Sequence, residues 1–238
     1  LAINEQFYKK NTLYPNNVAV MGEPAVMRDY RYITVNVTPF RYNPSREELD
    51  ISSKIKFRLE YDTSKEGVNE LTNPPRKLSR SFENLYRATF LNYDEVRDDS
   101  REYQRRSILI VHNHSSSFTL GTTKFAEWKR QKGFEVAIID TRTYQTTNAI
   151  KGYIQNAYDN WENPPEYVVI IGSGESGGST TVPFFWGHED NKLITPGDHP
   201  YTLLSGNDNI SDIFIGRLSV QNTDQLMTIW NKITNYEK

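Results

Sequence analysis

Tyr167-Val-Val-Ile-Ile-Gly-Ser-Gly-Glu-Ser-Gly-Gly-Ser-Thr180 is the stretch that decides the fold. Five residues dominated by β-branched apolar side chains run without a polar break, as in a strand covered on both faces, and a glycine-rich turn follows at once. Three further short apolar runs accompany it: Ile108-Leu-Ile-Val111, Val136-Ala-Ile-Ile139 and Ile213-Phe-Ile215. Helical patterns separate them. Residues 122–132 carry Phe125 and Trp128 at helical spacing, with Gly133 as the stop. Residues 146–161 read as an amphipathic helix ended by Asn163-Pro164-Pro165, and residues 225–238 as a terminal helix. Strands alternating with helices predict right-handed βαβ units and a parallel, Rossmann-like sheet, so the second half of the chain is expected to be α/β.

Working toward the N-terminus, the period changes. Tyr32-Ile-Thr-Val-Asn-Val-Thr38 and Lys54-Ile-Lys-Phe-Arg-Leu-Glu-Tyr61 alternate apolar and polar residues, which predicts half-buried antiparallel strands. Val18-Ala-Val-Met21 predicts another strand, and Tyr42-Asn-Pro44 a turn. A small all-β domain is expected there. Residues 81–91 predict a short helix. Residues 92–106, dense in charges of both signs, read as an exposed linker.

Composition narrows the function. The net charge is −2, with no basic stripe, which argues against a nucleic-acid partner. No apolar run approaches the roughly 18 residues of a membrane span. There is no cysteine, so thiol catalysis, disulfides and zinc–thiolate sites are excluded from this chain. It starts at Leu1 without a signal peptide, and its last helix stops without a Gly or Pro terminator; the natural chain is expected to continue.

Several motifs compete. The loop after Ile171 lacks the lysine a phosphate-binding loop needs at Gly178. It does contain Gly174-Glu-Ser176-Gly-Gly178, a nucleophile-elbow pattern. A serine hydrolase using Ser176, with Asp190 or Asp198 and His199, is therefore an alternative, although Pro183 and β-branched residues follow where a helix should. His112-Asn-His114 could share a metal if a third ligand arrived, yet none is near in sequence and a plain loop pair reads better. Ser205-Gly-Asn-Asp208-Asn-Ile-Ser-Asp212 places two carboxylates four residues apart in a sharp turn. Such a loop either wraps oxygens around calcium or caps the next strand with Asx turns.

Taken together, Phe125-x-x-Trp128-Lys129-x-x-x-Gly133, Tyr167–Gly172, Val182-Pro183, Asp198-x-x-Tyr201, Gly206-Asn-Asp208 and Asp212-Ile-Phe-Ile-Gly-Arg217 resemble, in family order, the gingipain-like cysteine peptidases of family C25. Met27-Arg-Asp-Tyr-Arg31, Tyr42-Asn-Pro44 and Phe82-x-x-x-Tyr86-x-x-x-Phe90-x-Asn92-Tyr93-x-x-x-Arg97 are similar to the family's prodomain and its end. The resemblance implies a secreted or surface-bound precursor, with an inhibitory prodomain over residues 1–97 and the first subdomain of a caspase-like catalytic domain over 98–238. It implies protein or peptide substrates. The His/Cys dyad belongs to a second subdomain outside this chain, so no residue here inherits a catalytic role. Calcium would be held by the Ser205 and Ile210 carbonyls and the Asp208 and Asp212 carboxylates. Where the family often has a carboxylate after the strand's glycine, this chain has Ser173, with Glu175 nearby. Processing would fall after Arg97, with Arg105-Arg106 as a competing site. Some relatives act as sortase-like transpeptidases in type IX secretion, and a non-catalytic surface protein of this fold is a further alternative.

Overall fold

The structure, a computed structural model, describes residues 4–60, 64, 67–71, 76–174, 180–189 and 192–238. The chain divides into two compact units. One comprises residues 1–25 and 31–70; the other comprises 26–30 and 71–238.

The first unit has a short helix, α1 (Glu5–Tyr8), and strands of three or four residues: β1 (Ala19–Met21), β2 (Ala25–Met27), β3 (Tyr30–Tyr32), β4 (Val35–Val37), β5 (Phe40–Asn43) and β6 (Glu48–Ile51). Among the described residues these strands associate in pairs, β1 with β4, β5 with β6, and β2 with β3 in a hairpin whose turn belongs to the second unit. The expected strand over 54–61 does not form in the described part, 54–60, where Phe57 and Leu59 are exposed. Alternation creates a face that can be buried, but a strand also needs a neighbour to satisfy its N–H and C=O groups. The run expected over 32–38 is likewise broken into β3 and β4.

The second unit is built on a parallel sheet of four strands. β7 (Ser107–His112), β8 (Glu135–Asp140), β9 (Tyr167–Ile171) and β12 (Phe214–Leu218) lie in the order β12-β9-β7-β8. Every residue of β7 is buried, as its unbroken apolar run requires. Leu109 and Val111 meet Ile150, Ile154 and Tyr158 of α5 (Thr147–Asn160) on one face. Ile108 and Ile110 meet Phe118 and Phe125 of α4 (Ser116–Gln131) and Leu226 of α6 (Thr223–Glu237) on the other. The sheet is therefore covered on both sides, the doubly wound arrangement. The strand order reverses at β7, where β8 lies on one side and β9 on the other. Thr146 and Asn222 cap α5 and α6 by accepting from the backbone N–H three residues on. Gly121 sits within α4, where a Cβ would lie 2.5 Å from the Leu226 side chain; its absence lets α4 and α6 approach closely. α4 begins six residues earlier than its periodicity suggests.

Residues 71–97 fold with this unit. α2 (Arg80–Thr89) starts on Ser79, whose hydroxyl caps Phe82 N–H and also meets the buried Glu166 carboxylate. Phe82, Tyr86 and Tyr93 form a small core with Tyr30 and Phe214. The expectation of an exposed linker over 92–106 holds for most of its residues, but the segment is also anchored. It contains a helical turn, α3 (Tyr93–Val96), with Tyr93 buried, and Leu78 bridges it at Tyr103. Two of its arginines are held: Arg97 pairs with Glu83, and Arg101 donates to the Arg76 carbonyl. Sequence reasoning also missed the antiparallel hairpin of β10 (Phe185–Glu189) and β11 (Lys192–Gly197).

Because Leu109 and Ile110 point into opposite layers and are fully buried, Leu109→Ala and Ile110→Ala should each lower stability by about 2–5 kcal/mol. Urea unfolding followed by tryptophan fluorescence measures both.

Candidate functional site

Two polar constructions lie at opposite ends of the parallel sheet, the first at the carboxyl ends of the strands, where ligands bind in open α/β folds, and the second at the amino ends. The first is centred on Arg217 near the end of β12. Its guanidinium forms a two-pronged pair with Asp198, at 2.8 Å from Nε and 2.7 Å from Nη2. It also donates to the carbonyls of Ser173, Val182 and Pro183, at 3.0–3.3 Å. One side chain thus ties together the turn after β9, the segment before β10 and the loop after β11. Tyr201 adds a hydroxyl bond to the Pro183 carbonyl at 2.8 Å, and burial raises its pKa. The group borders an open cleft of about 880 Å³ lined by Ser173, Phe184, Asp198, Arg217, Ser219 and Asp224, among others.

The second construction is the 205–212 loop, and here all four proposed calcium ligands lie. Gly206 adopts a left-handed φ of +74°, and a Cβ there would meet an Asp208 carboxylate oxygen at 2.9 Å. Asp208 accepts from the Ile210 N–H at 2.8 Å and from the Val26 N–H at 2.8 Å. Asp212 is fully buried. Its Oδ2 accepts from the N–H groups of Leu204 and Ser205, both at 2.8 Å, and its Oδ1 from the N–H of Arg28 at 2.7 Å. Burial pushes the Asp212 carboxyl up to about 6, against the downward pull of those three N–H donors.

Sequence reasoning missed Arg28, the residue that completes this loop. It sits at the β2–β3 turn with a left-handed φ of 52° and no solvent exposure. Nη1 donates to the Asp212 carbonyl at 2.9 Å and the Pro165 carbonyl at 3.1 Å, and Nη2 to Gln104 Oε1 at 3.2 Å. The guanidinium lies 5.1 Å from the Phe82 ring centre and 5.4 Å from that of Tyr158, whose hydroxyl donates to the Arg28 carbonyl. The adjacent Asp29 is ringed by Arg76 at 3.6 Å, Arg101 at 3.8 Å and the Tyr86 hydroxyl at 3.2 Å. A charged pair in a turn reads as solvated surface; no local signal announces burial.

As folded, the loop does not fit a calcium ion. Calcium asks for six to eight converging oxygens at about 2.3–2.6 Å. Each carboxylate oxygen of Asp208 and Asp212 instead faces an N–H. No cluster of three or more acidic or imidazole groups suited to a metal occurs among the described residues.

The other sequence motifs disperse. His112 Nδ1 bonds the Asn113 carbonyl at 2.8 Å, and burial lowers its pKa. His114 Nδ1 turns to Thr141 Oγ1 at 2.9 Å. Ser176, Asp190 and Glu175 lie outside the described residues. Asp198, one carboxylate available to a triad with Ser176, is held by Arg217. Arg97 follows α3 and pairs with Glu83 at 3.3 Å and Asp99 at 2.8 Å, and residues 98–100 beyond it are exposed.

A doubly wound sheet with a loop-built polar edge defines an α/β protein of the open-sheet class. Its family follows from comparison. Residues 101–238 match the model of peptidase family C25, and residues 1–100 match the C25 propeptide model. The chain belongs to peptidase family C25 and is a gingipain-like precursor segment. It is 27% identical over 243 residues to Gingipain R2 of Porphyromonas gingivalis, covering 98% of this chain and 30% of that relative. It is 30% identical over 240 residues to a Gingipain R1 of the same species, covering 97% of this chain and 22% of that one. The chain thus spans under a third of these curated relatives. Among solved structures it is similar to the Arg-specific cysteine proteinase gingipain R, with 25% identity, TM-score 0.41, and coverage of 53% and 27% of the two chains. It is also similar to a complex of Porphyromonas gingivalis RgpB pro- and mature domains, with 27% identity, TM-score 0.30, and coverage of 38% and 44%. No helix among the described residues is long and apolar enough to cross a membrane.

Arg217→Met keeps much of the packing but takes the guanidinium from the Asp198 carboxylate and the Val182 carbonyl, while the Ser173 and Pro183 carbonyls keep the Val182 N–H and the Tyr201 hydroxyl. It should cost on the order of 3 kcal/mol, read by urea unfolding, and should also raise protease sensitivity within residues 180–199.

Proposed function

We propose that this chain is the propeptide and first α/β portion of a secreted or surface-bound cysteine endopeptidase, with a caspase-like catalytic domain completed by a second subdomain. The observation that carries this reading is where the two family matches meet. They abut at residues 100 and 101, inside the exposed turn that follows Arg97. A precursor needs an accessible bond there, and exposed loop tips are where proteases cut.

With no cysteine in the chain, the nucleophile and its histidine come from the second subdomain. The thiolate attacks a peptide carbonyl, the histidine returns the proton to the leaving amine, and backbone N–H groups hold the oxyanion. The contribution of this chain is structural: the Arg217 knot shapes the sheet edge, and the propeptide residues delay activity. Calcium is proposed only as a ligand of the form in which residues 26–28 have left the 205–212 loop; no catalytic step depends on it.

The competing cleavage site is disfavoured by its setting. Arg105 N–H is held by Asn163 Oδ1 at 3.1 Å, and the Arg106 carbonyl accepts from Glu135 N–H at 2.8 Å. A protease would have to peel this segment from the sheet. Arg97 needs to release its side chain from Glu83 and Asp99 and its N–H from the Tyr93 carbonyl at the end of one helical turn, with no sheet to open.

In the full-length protein, intact mass and N-terminal sequencing should show a cut after Arg97, abolished by a thiol alkylator. Product starting at Arg106, or cleavage that survives alkylation, would count against the reading. Glu83→Gln removes one anchor of the Arg97 side chain and should accelerate that cut by a few-fold to about tenfold, measured as a time course on gels.

A further inference from the structure

Arg28 fills a pocket made almost wholly by residues of the other family match. We infer that Gln104, Tyr158, Pro165 and Asp212 form a binding site for an arginine side chain. Arg28 occupies it within the precursor, and another guanidinium competes for it once the propeptide is severed. The site follows from the geometry; the severed state rests on the precursor reading above.

The acceptors suit a planar fork. Nη1 of Arg28 donates to the Pro165 and Asp212 carbonyls at 3.1 and 2.9 Å, and Nη2 to Gln104 Oε1 at 3.2 Å. These acceptors are spread over two nitrogens, whereas an ammonium carries all its donors on one atom. The rings of Phe82 and Tyr158 lie 5.1 and 5.4 Å from the guanidinium carbon, within cation–π range. Recognition extends to the backbone. Arg28 N–H reaches Asp212 Oδ1 at 2.7 Å, and the Tyr158 hydroxyl donates to the Arg28 carbonyl at 3.2 Å.

The acceptors are held by neighbours from the peptidase match. Gln104 is oriented through its Nε2, which donates to the Pro164 carbonyl at 2.9 Å and to Ser107 Oγ at 3.2 Å. Ser107 Oγ donates to the Pro164 carbonyl at 2.6 Å and accepts the Glu166 N–H at 3.1 Å, which fixes the chain on either side of Pro165. Asp212 is set by its N–H on the Thr202 carbonyl at 2.9 Å and by its carboxylate on the Leu204 and Ser205 N–H groups, both at 2.8 Å. Tyr158 is buried in α5. Of the walls named, Phe82 alone belongs to the propeptide match. Emptied, the pocket leaves two carbonyls and an amide oxygen without this donor, so its demand for a guanidinium persists.

The test uses the intact chain, with ethylguanidinium as the probe and ethylammonium as its control. Arg28→Gly empties the pocket and keeps the turn, since glycine accepts the left-handed φ of 52°. At about ten times its dissociation constant, ethylguanidinium should raise the melting temperature of Arg28→Gly by about 3–6 °C. Wild type, whose pocket is full, should not gain, and ethylammonium should raise neither. Nuclear Overhauser contacts between the ethyl group and the Tyr158 ring locate the bound cation. If Arg28→Gly does not fold alone, the readout is the folded fraction recovered by refolding with each cation, and ethylguanidinium should recover more. Equal effects of the two cations, equal effects on variant and wild type, or contacts away from Tyr158 overturn the site. In full-length protein cut after Arg97, gel filtration should show ethylguanidinium releasing the propeptide at a concentration about tenfold or more below that of ethylammonium. Release by both alike, or by neither, overturns the competition. If full-length protein is not cut, the precursor reading fails, while the rescue of Arg28→Gly still decides the site.

Discussion

The second unit depends on the burial of one arginine. A guanidinium in a dry interior is expensive unless hydrogen bonds replace its hydration. Arg28 meets most of that requirement with two backbone carbonyls, the Gln104 side chain and flanking aromatic rings, with Nε 3.9 Å from the Asp29 carboxylate and without a hydrogen bond, while its own backbone is gripped by Asp212 and Tyr158. The partners come from the end of α5, the segment before β9, the segment before β7 and the loop before β12. One side chain therefore fixes the relative placement of four connections that the sheet's ladders alone leave free. Removing it would take a donor from the Asp212 backbone carbonyl and loosen the turn whose Arg28 N–H the buried Asp212 carboxylate accepts. Burial of the arginine and of the aspartate is a single constraint.

The sheet was legible because its signal is strong and local. Val168, Ile170 and Ile171 in β9, and the six buried residues of β7, can be covered on both faces only by helices, and the helices lie between them in sequence. The 54–60 segment shows the converse. Its alternation is as clear as that of any strand, yet among the described residues no strand pairs with it, since periodicity specifies a face and says nothing of what lies against it. The β10–β11 hairpin was obscured by Gly187, Pro196 and Gly197, which read as loop.

The site was legible as a place and not as a chemistry. Asp208 and Asp212 stood out, and the structure brings them together on one loop. Part of what they hold was invisible, because beside the local Leu204, Ser205 and Ile210 N–H groups they accept those of Val26 and Arg28, from residues 182 and 184 positions away. Arg28-Asp29 gave no warning for the same reason: a charged pair in a turn is normally wet, and its cage is assembled from residues 76–212. In the 92–106 segment composition correctly marked exposure for most residues and hid only the anchors, the buried Tyr93 and Gln104. The family match supplies what local reasoning could not, namely that these distant segments belong to one precursor.

The aromatic group of Tyr30, Phe82, Tyr86, Tyr93 and Phe214 draws on both family matches: four rings come from propeptide residues and one from the peptidase portion. The proposed cut after Arg97 would divide the chain at a place where the folded core has no seam. In the uncut chain that core closes within one molecule and its stability is indifferent to dilution. A cut chain would share the same rings between two molecules, and protein concentration would decide whether they stay together.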